Sequence, residues 1–248
     1  MILTDNNLFI HIPKTGGTTI RNYMSRHLNN KSLSVPKGVR CWWHRPIKDF
    51  PKSHKNITSF AVVRNPWDYY VSVFEYNKKF NHWTPFIGKC NDFNEFVFRL
   101  LVDDKDVPSS IDYNAFDSYV YTDHHKYQPR LGDLQRTCHH IYLPRDQTIR
   151  NCKIGLLTFR YILMCFKSNK EIFKNIDKLA IDKLSVDKII KLENLDRELK
   201  IILNSPVKNI RRENASTRDK YRKYYSDEIK QLVLERDDFI INTYKYSY

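Results

Sequence analysis

The segment that most constrains the fold covers residues 8–27, where a short apolar run, the sequence Pro-Lys-Thr-Gly-Gly-Thr-Thr and a helical pattern follow one another. The pattern predicts a buried strand over Leu8–Ile12, a tight turn at two adjacent glycines, and a helix from Thr18 onward. A strand, a glycine turn and a helix in this order are typical of a phosphate-binding loop in an α/β protein.

The turn at Gly16 and Gly17 is predicted to bind an anion. Backbone N–H groups and the helix dipole attract a phosphate, and glycine lets that phosphate approach the backbone closely. Lys14 adds a positive charge, and further hydroxyl donors come from Thr15, Thr18 and Thr19. A kinase or ATPase loop places its lysine after the glycines. Here the lysine precedes them, so the residue order argues against a magnesium-nucleotide loop.

A second strand and helix carry another phosphate-binding pattern. Thr58–Val63 is predicted as a strand that leads into Arg64, and a helix is predicted from about Pro66 to Asn77. Ser72 follows Arg64 by eight residues, or about two helical turns, so both side chains can face one phosphate. Arginine suits this role because its planar fork of donors matches phosphate oxygens.

These two motifs, in this order, resemble the 5′-phosphosulfate loop and the 3′-phosphate motif of sulfotransferases that use 3′-phosphoadenosine 5′-phosphosulfate (PAPS). The resemblance is strong over residues 8–27 and 58–77 and moderate over 40–50 and 186–248. It implies a P-loop-like α/β fold with a mostly parallel central sheet flanked by helices, in one domain over 1–248. The implied donor-binding residues are Lys14, Thr15, Gly16, Gly17, Thr18, Thr19, Arg64, Ser72 and Arg212.

The resemblance also implies a general base. In hydroxyl-directed sulfotransferases, a histidine in a His-x-Pro context some twenty residues before the 3′-phosphate arginine takes this role, and His44 stands twenty residues before Arg64. An imidazole with a pKa of about 6.5 can accept an alcohol proton at neutral pH. A histidine that merely packs beside two tryptophans is the alternative.

One position departs from the pattern. Many cytosolic relatives carry lysine two residues before this histidine, and here that position is Trp42. Any charge stabilisation that such a lysine supplies must come from another cation, and the candidates are Lys14, Arg45 and Lys48.

The remaining segments carry weaker predictions. Val186–Leu195 is predicted as a strand that enters a helix, Asp92–Leu101 as a capped amphipathic helix, and apolar residues over Ile229–Ile240 as one last helix with a buried face. The basic loop with Arg211, Arg212 and Ser216 either closes over the 3′-phosphate or is an ordinary solvated surface. Candidate acceptor contacts lie in a polar, turn-rich region and are Tyr119, Tyr121, His124, His125 and Arg130.

The composition limits the size, charge and location that we expect for the protein. The chain has 248 residues, 41% apolar content and a formal net charge of +14, which fits one basic α/β domain that attracts anions. No apolar run approaches the ~20 residues of a membrane span and no basic leader with a hydrophobic core is present, so we expect a soluble cytoplasmic protein without a membrane anchor. The lack of an anchor in this sequence favours a bacterial or viral enzyme, or a shortened form of a membrane-anchored one.

The cysteines predict no disulfide framework. Five cysteines without C-x-x-C spacing indicate reduced thiols. Cys138-His139-His140 with His124-His125 gives a weak zinc alternative, since adjacent histidines on a strand point to opposite faces.

Together these features predict a sulfotransferase that moves a sulfuryl group from PAPS to a hydroxyl acceptor, a glycan by preference, and releases adenosine 3′,5′-bisphosphate. His44 and Lys14 are the predicted catalytic residues, and the resemblance implies no metal and no nucleic-acid partner. Two other classes stay open at this point: a small-molecule P-loop kinase and a non-enzymatic basic nucleic-acid-binding protein.

Overall fold

The computed structural model describes most of the chain, namely residues 2–28, 30–31, 46–50, 57–81, 89–102, 152–204, 210 and 218–248. The predicted base His44 and the predicted donor contact Arg212 lie outside these residues. So do Trp42, Arg45, Arg211 and Ser216, the zinc alternative, and the candidate acceptor contacts Tyr119, Tyr121, His124, His125 and Arg130.

The strands of the described residues form one mixed sheet in the order β3-β1-β2-β4-β5. Their bounds are β1 (Ile2–Thr4), β2 (Asn7–Ile10), β3 (Asn30–Lys31), β4 (Thr58–Val63) and β5 (Lys188–Lys191). β2 is parallel to β4 and β4 to β5, whereas β1 is antiparallel to both β2 and β3. The prediction of a mostly parallel sheet is therefore wrong for the β1 side. The two-residue turn at Asp5 and Asn6 reverses the chain at once, and such a turn joins only antiparallel strands.

The register of the parallel strands brings their carboxyl ends to one edge. Ile10 lies beside Ala61, and Val63 lies beside Lys191. The Asp187 carboxylate fixes β5 against β4, because it accepts hydrogen bonds from the Ser59 backbone N–H at 2.7 Å and from the Ser59 hydroxyl at 2.6 Å. The segments that follow β2, β4 and β5 consequently leave the sheet side by side, as at the ligand-binding edge of open α/β sheets.

Helices cover both faces of the sheet. They are α1 (Gly17–His27), α2 (Pro66–Phe80), α3 (Phe93–Leu101), α4 (Leu156–Cys165), α5 (Asn169–Lys174), α6 (Leu195–Leu203), α7 (Asp227–Arg236) and α8 (Asp238–Tyr244). Short 3₁₀ turns cover Ile47–Asp49, Ile176–Lys178, Ile181–Lys183, Leu192–Asn194 and Tyr221–Lys223. Phe9 and Phe60 pack with α1 and α6, whereas Leu8, Ile10 and Ala61 pack with helices of the other face, because successive strand residues point to opposite sides. This arrangement confirms the predicted α/β class.

Several predicted elements are confirmed with small changes of boundary. β4 covers the predicted residues, β2 ends two residues before Ile12, and α2 continues three residues beyond Asn77. α3 begins after Asp92, whose side chain accepts a hydrogen bond from the Glu95 N–H at 2.8 Å. That contact is the predicted N-terminal cap.

The prediction of one last helix is wrong, because α7 ends at Arg236 and α8 begins at Asp238. Asp237 is fully buried between them, where its carboxylate accepts hydrogen bonds from the Tyr70 hydroxyl at 2.8 Å and from the Thr158 N–H and hydroxyl, both at 2.7 Å. Burial raises the pKa of Asp237 to about 6. These tertiary hydrogen bonds hold the first turn of α4 against α2 and set the position of the break.

Candidate active site

The loop after β2 is held in shape by its own backbone and side chains. Lys14 and Gly16 both lie in the left-handed region, with φ values of 68° and 84°. Thr15 is buried, and its hydroxyl donates to the Ile12 carbonyl at 2.8 Å. The Thr15 hydroxyl proton is therefore used within the loop, and the predicted contact of this residue with a phosphate falls to its backbone N–H.

Close packing requires both glycines of the loop. A Cβ on Gly17 would lie 1.8 Å from His11 Nε2, and a Cβ on Gly16 would lie 2.5 Å from Leu192 Cδ1. His11 is buried and its ring stacks on Phe9 with 5.7 Å between centroids, as expected for a packed histidine. The loop therefore fits tightly over the sheet edge.

The first turn of α1 faces the same loop. The helix begins at Gly17, its N-cap residue makes no side-chain capping hydrogen bond, and its first turn contains no acidic residue. Backbone N–H groups of a first turn have no acceptor within the helix and carry part of the helix dipole. The predicted residues Gly17, Thr18 and Thr19 thus provide an electropositive end that can bind an anion.

The segments after β4 and β5 contact this loop directly. Arg64 Nη1 donates to the Lys14 carbonyl at 3.1 Å, and the Asn65 N–H donates to Glu193 Oε1 at 2.7 Å. Asn65 also caps α2, because its side-chain oxygen accepts from the backbone N–H groups of Trp67 at 3.1 Å and Asp68 at 3.3 Å. Three strand ends are therefore joined by hydrogen bonds into one site.

Residues 246–248 brace the same site from outside. Asn65 Nδ2 donates to the Ser247 carbonyl at 3.0 Å, and the Tyr246 hydroxyl donates to Glu193 Oε2 at 3.0 Å. Tyr248 packs edge-on against Trp67 with 5.4 Å between ring centroids. No sequence pattern predicted these contacts, because residues so far apart in the chain meet only in the folded structure.

One face of α2 is turned toward the loop. Asp68, Ser72 and Tyr76 are spaced four residues apart, so they lie in one row along the helix. Asp68 Oδ2 accepts from Arg64 Nε at 2.7 Å, and Lys14 Nζ lies 4.1 Å from the centroid of the Tyr76 ring. Ser72 is partly exposed and lies between Asp68 and Tyr76 in this row. It therefore belongs to the face of α2 that contacts Arg64 and Lys14. The roles of these residues as ligands stay predictions.

Two further arginines reach this site without any prediction from the sequence. Arg218 pairs with Asp68 Oδ1, and its side chain is 11% exposed. Arg160 belongs to the buried helix α4, is 4% exposed, and donates from Nη1 to the Tyr69 hydroxyl at 2.5 Å. A lone charge within an apolar helix is the sequence signal that could have drawn attention to Arg160.

Burial and the neighbouring arginines lower the pKa of Lys14. Burial, followed by the charges of Arg64, Arg160 and Arg218, lowers the pKa of Lys14 to about 7. Like charges gathered in a poorly hydrated site destabilise one another until an anion is bound. The site is therefore electrostatically suited to a ligand with several negative charges.

A cluster of cations at the carboxyl ends of parallel strands, beside a glycine turn and a helix N-terminus, is an arrangement in an α/β protein that suits the binding of an anion. A family model described as the Sulfotransferase family matches residues 3–247, and the chain therefore belongs to the sulfotransferase family. No curated protein and no solved structure gives a significant match. The family establishes sulfuryl transfer as the general activity, and its members generally use PAPS.

No helix within the described residues is long and apolar enough to cross a membrane. In the same part of the chain, no group of three or more His, Cys, Asp or Glu side chains is arranged to hold a metal ion.

Proposed function

We propose that this protein transfers a sulfuryl group from PAPS to a hydroxyl group of a carbohydrate. The observation that carries the proposal is the contact of Arg64 with the Lys14 carbonyl at one sheet edge, beside the first turn of α1. Ser72 lies in the row of α2 residues whose members Asp68 and Tyr76 contact Arg64 and Lys14. PAPS carries a phosphosulfate at the 5′ position and a phosphate at the 3′ position of its ribose, so it needs two anion sites. The loop after β2 is one candidate site, and the segment around Arg64 is the other.

The residues present fit this donor. Backbone N–H groups of residues 14–19 suit the 5′-phosphosulfate, while Arg64 and Ser72 suit the 3′-phosphate, with Arg212 as a further proposed contact. Like-charged side chains held together in a partly buried site also favour a polyanion. The P-loop-like class of the fold is supported by the β2–loop–α1 unit and by the parallel pairing of β2 with β4.

Bound in this site, PAPS supplies the sulfuryl group that passes to the acceptor oxygen while the phosphate oxygen leaves. His44 is the proposed base that removes the acceptor hydroxyl proton. Lys14 and the amides of the loop stabilise the negative charge that grows on the leaving oxygen, because donors already fixed in place need no reorganisation during the reaction. Ser72 and Arg64 hold the nucleotide in line for this transfer.

The carbohydrate acceptor is proposed from the resemblance of residues 186–248 to carbohydrate-type members of the family and from the strong positive charge of the chain. A net charge of +14 favours acidic acceptors through long-range attraction. The kinase and nucleic-acid alternatives lose support, because the family match extends over nearly the whole chain.

Incubation with sulfur-labelled PAPS and a panel of neutral glycans, acidic glycans and simple phenols tests this function. We expect label to enter a glycan without added metal, and acidic glycans to be labelled faster at low than at high ionic strength. Reactions without acceptor, or with acceptors lacking free hydroxyls, are the controls. Label that enters only phenols would contradict the acceptor class and leave the donor assignment intact.

A further inference from the structure

Arg218 has an unsatisfied donor in the interior of the site. Its Nη2 atom pairs with Asp68, but its Nη1 atom is buried and has no hydrogen-bond partner among the described residues. A buried charged donor without an acceptor is costly, and native structures supply such donors with a partner. The cost is removed if a ligand provides the acceptor.

The position of Arg218 indicates which ligand this is. The two oxygens of Asp68 bind different arginines, Oδ2 contacting Arg64 and Oδ1 contacting Arg218. The two guanidinium groups are therefore held on either side of one carboxylate, with side-chain exposures of 14% for Arg64 and 11% for Arg218. One turn further along α2, Ser72 lies in the same row as Asp68.

The charge balance favours a dianion. One carboxylate between two arginines leaves a net charge of +1. Lys14 and Arg160 add to this charge, and the exposed Glu193 carboxylate offsets one of them. The two guanidiniums lie close together, because both contact the Asp68 carboxylate. A phosphomonoester offers three oxygens and nearly two negative charges, so it can accept hydrogen bonds from both arginines at once.

We propose that Arg218 is a second arginine ligand of the phosphomonoester bound by Arg64 and Ser72, and that Asp68 positions the two arginines as a pair. The inference rests on the proposed function, since that phosphomonoester is the 3′-phosphate of the donor. It makes Arg218 a residue that selects a nucleotide with a 3′-phosphate. The simpler alternative is that Arg218 only ties residues 218–220 to α2 through Asp68.

Binding of two nucleotides that differ by this one group separates these roles. Adenosine 3′,5′-bisphosphate and adenosine 5′-monophosphate are titrated by calorimetry into wild-type protein and into Arg218→Gln. We expect the variant to lose about 10–100-fold in affinity for the bisphosphate, the equivalent of one charge-assisted hydrogen bond, and to change less than about twofold for the monophosphate. Arg197→Gln is the matched control, because Arg197 is exposed on α6; neither affinity should change.

Each result decides between the roles. Equal loss for both nucleotides, or no loss for either, overturns the assignment of Arg218 as a ligand. If Arg218→Gln does not fold, Arg218→Lys keeps the positive charge beside Asp68 but loses the guanidinium fork, which lets one side chain bind Asp68 and a phosphate from separate nitrogens. We then expect weaker bisphosphate binding with unchanged monophosphate binding, and wild-type values for both would overturn the proposal. Wild-type protein that does not prefer the bisphosphate contradicts the proposed function itself, whereas a preference that stays undiminished in both Arg218 variants contradicts only the inference.

Discussion

Replacing His44 with alanine is expected to lower turnover by about 10²–10⁴-fold while leaving the melting temperature and the affinity for adenosine 3′,5′-bisphosphate nearly unchanged. A general base acts on the acceptor hydroxyl in the transition state and takes no part in holding the nucleotide. The measurement combines turnover with PAPS and a glycan acceptor, a thermal melt, and a nucleotide titration. His27→Ala, an exposed histidine at the end of α1, is the control and should retain normal turnover.

A packed histidine beside tryptophans would behave differently. Its removal would lower stability, and activity would fall only as folded protein is lost. Near-normal turnover in a well-folded His44→Ala variant would eliminate this assignment, and His124 and His125 would then be the next histidines to replace.

Replacing Lys14 with methionine is expected to lower turnover by about 10²–10³-fold, the effect of removing one donor from a site of developing charge. The Lys14 ammonium lies over the Tyr76 ring beside the loop, and methionine keeps an unbranched side chain there while it removes the charge. Lys78→Met is the control, because Lys78 is exposed on α2. A turnover within about twofold of the wild-type value would remove Lys14 from the mechanism.

The pH dependence of nucleotide binding checks the same assignment. In the free protein the pKa of Lys14 is lowered to about 7, first by burial and then by neighbouring arginines. A bound polyanion favours the charged ammonium and raises that pKa, so binding above pH 7 takes up a proton and bisphosphate affinity falls as the pH rises. Calorimetry at pH about 8 in buffers of different ionisation heat measures this uptake. Lys14→Arg should abolish it, because arginine stays charged.

The local parts of the site could be predicted from the sequence. The glycine turn, β4 and the start of α2 are encoded by adjacent residues, such as Asn65 and Pro66, whose capping preferences act within one turn. The placement of Arg64 and Ser72 at one phosphate followed from helical spacing and stays a prediction. These predictions needed no knowledge of long-range contacts.

The long-range parts could not be predicted. Arg218 meets Asp68 across 150 residues, and Arg160 meets Tyr69 across 91, so no local pattern records either pair. β1 has only three residues, which is too short to show an alternating pattern. The break between α7 and α8 is set by hydrogen bonds that the Asp237 carboxylate accepts from distant residues, while the local sequence continues the helical spacing.

The most direct test of the donor assignment compares adenosine 3′,5′-bisphosphate without metal against ATP with magnesium, as stabilisers of the folded protein. At a hundredfold excess over its Kd, the bisphosphate should raise the free energy of unfolding by about 2.7 kcal/mol, and ATP with magnesium at the same concentration should do much less. That result is expected because ATP has no 3′-phosphate for the proposed site around Arg64. In addition, the loop lysine precedes the glycines, unlike the lysine of a magnesium-nucleotide loop. Equal stabilisation by the two nucleotides would contradict the assignment, since it would show a generic phosphate site.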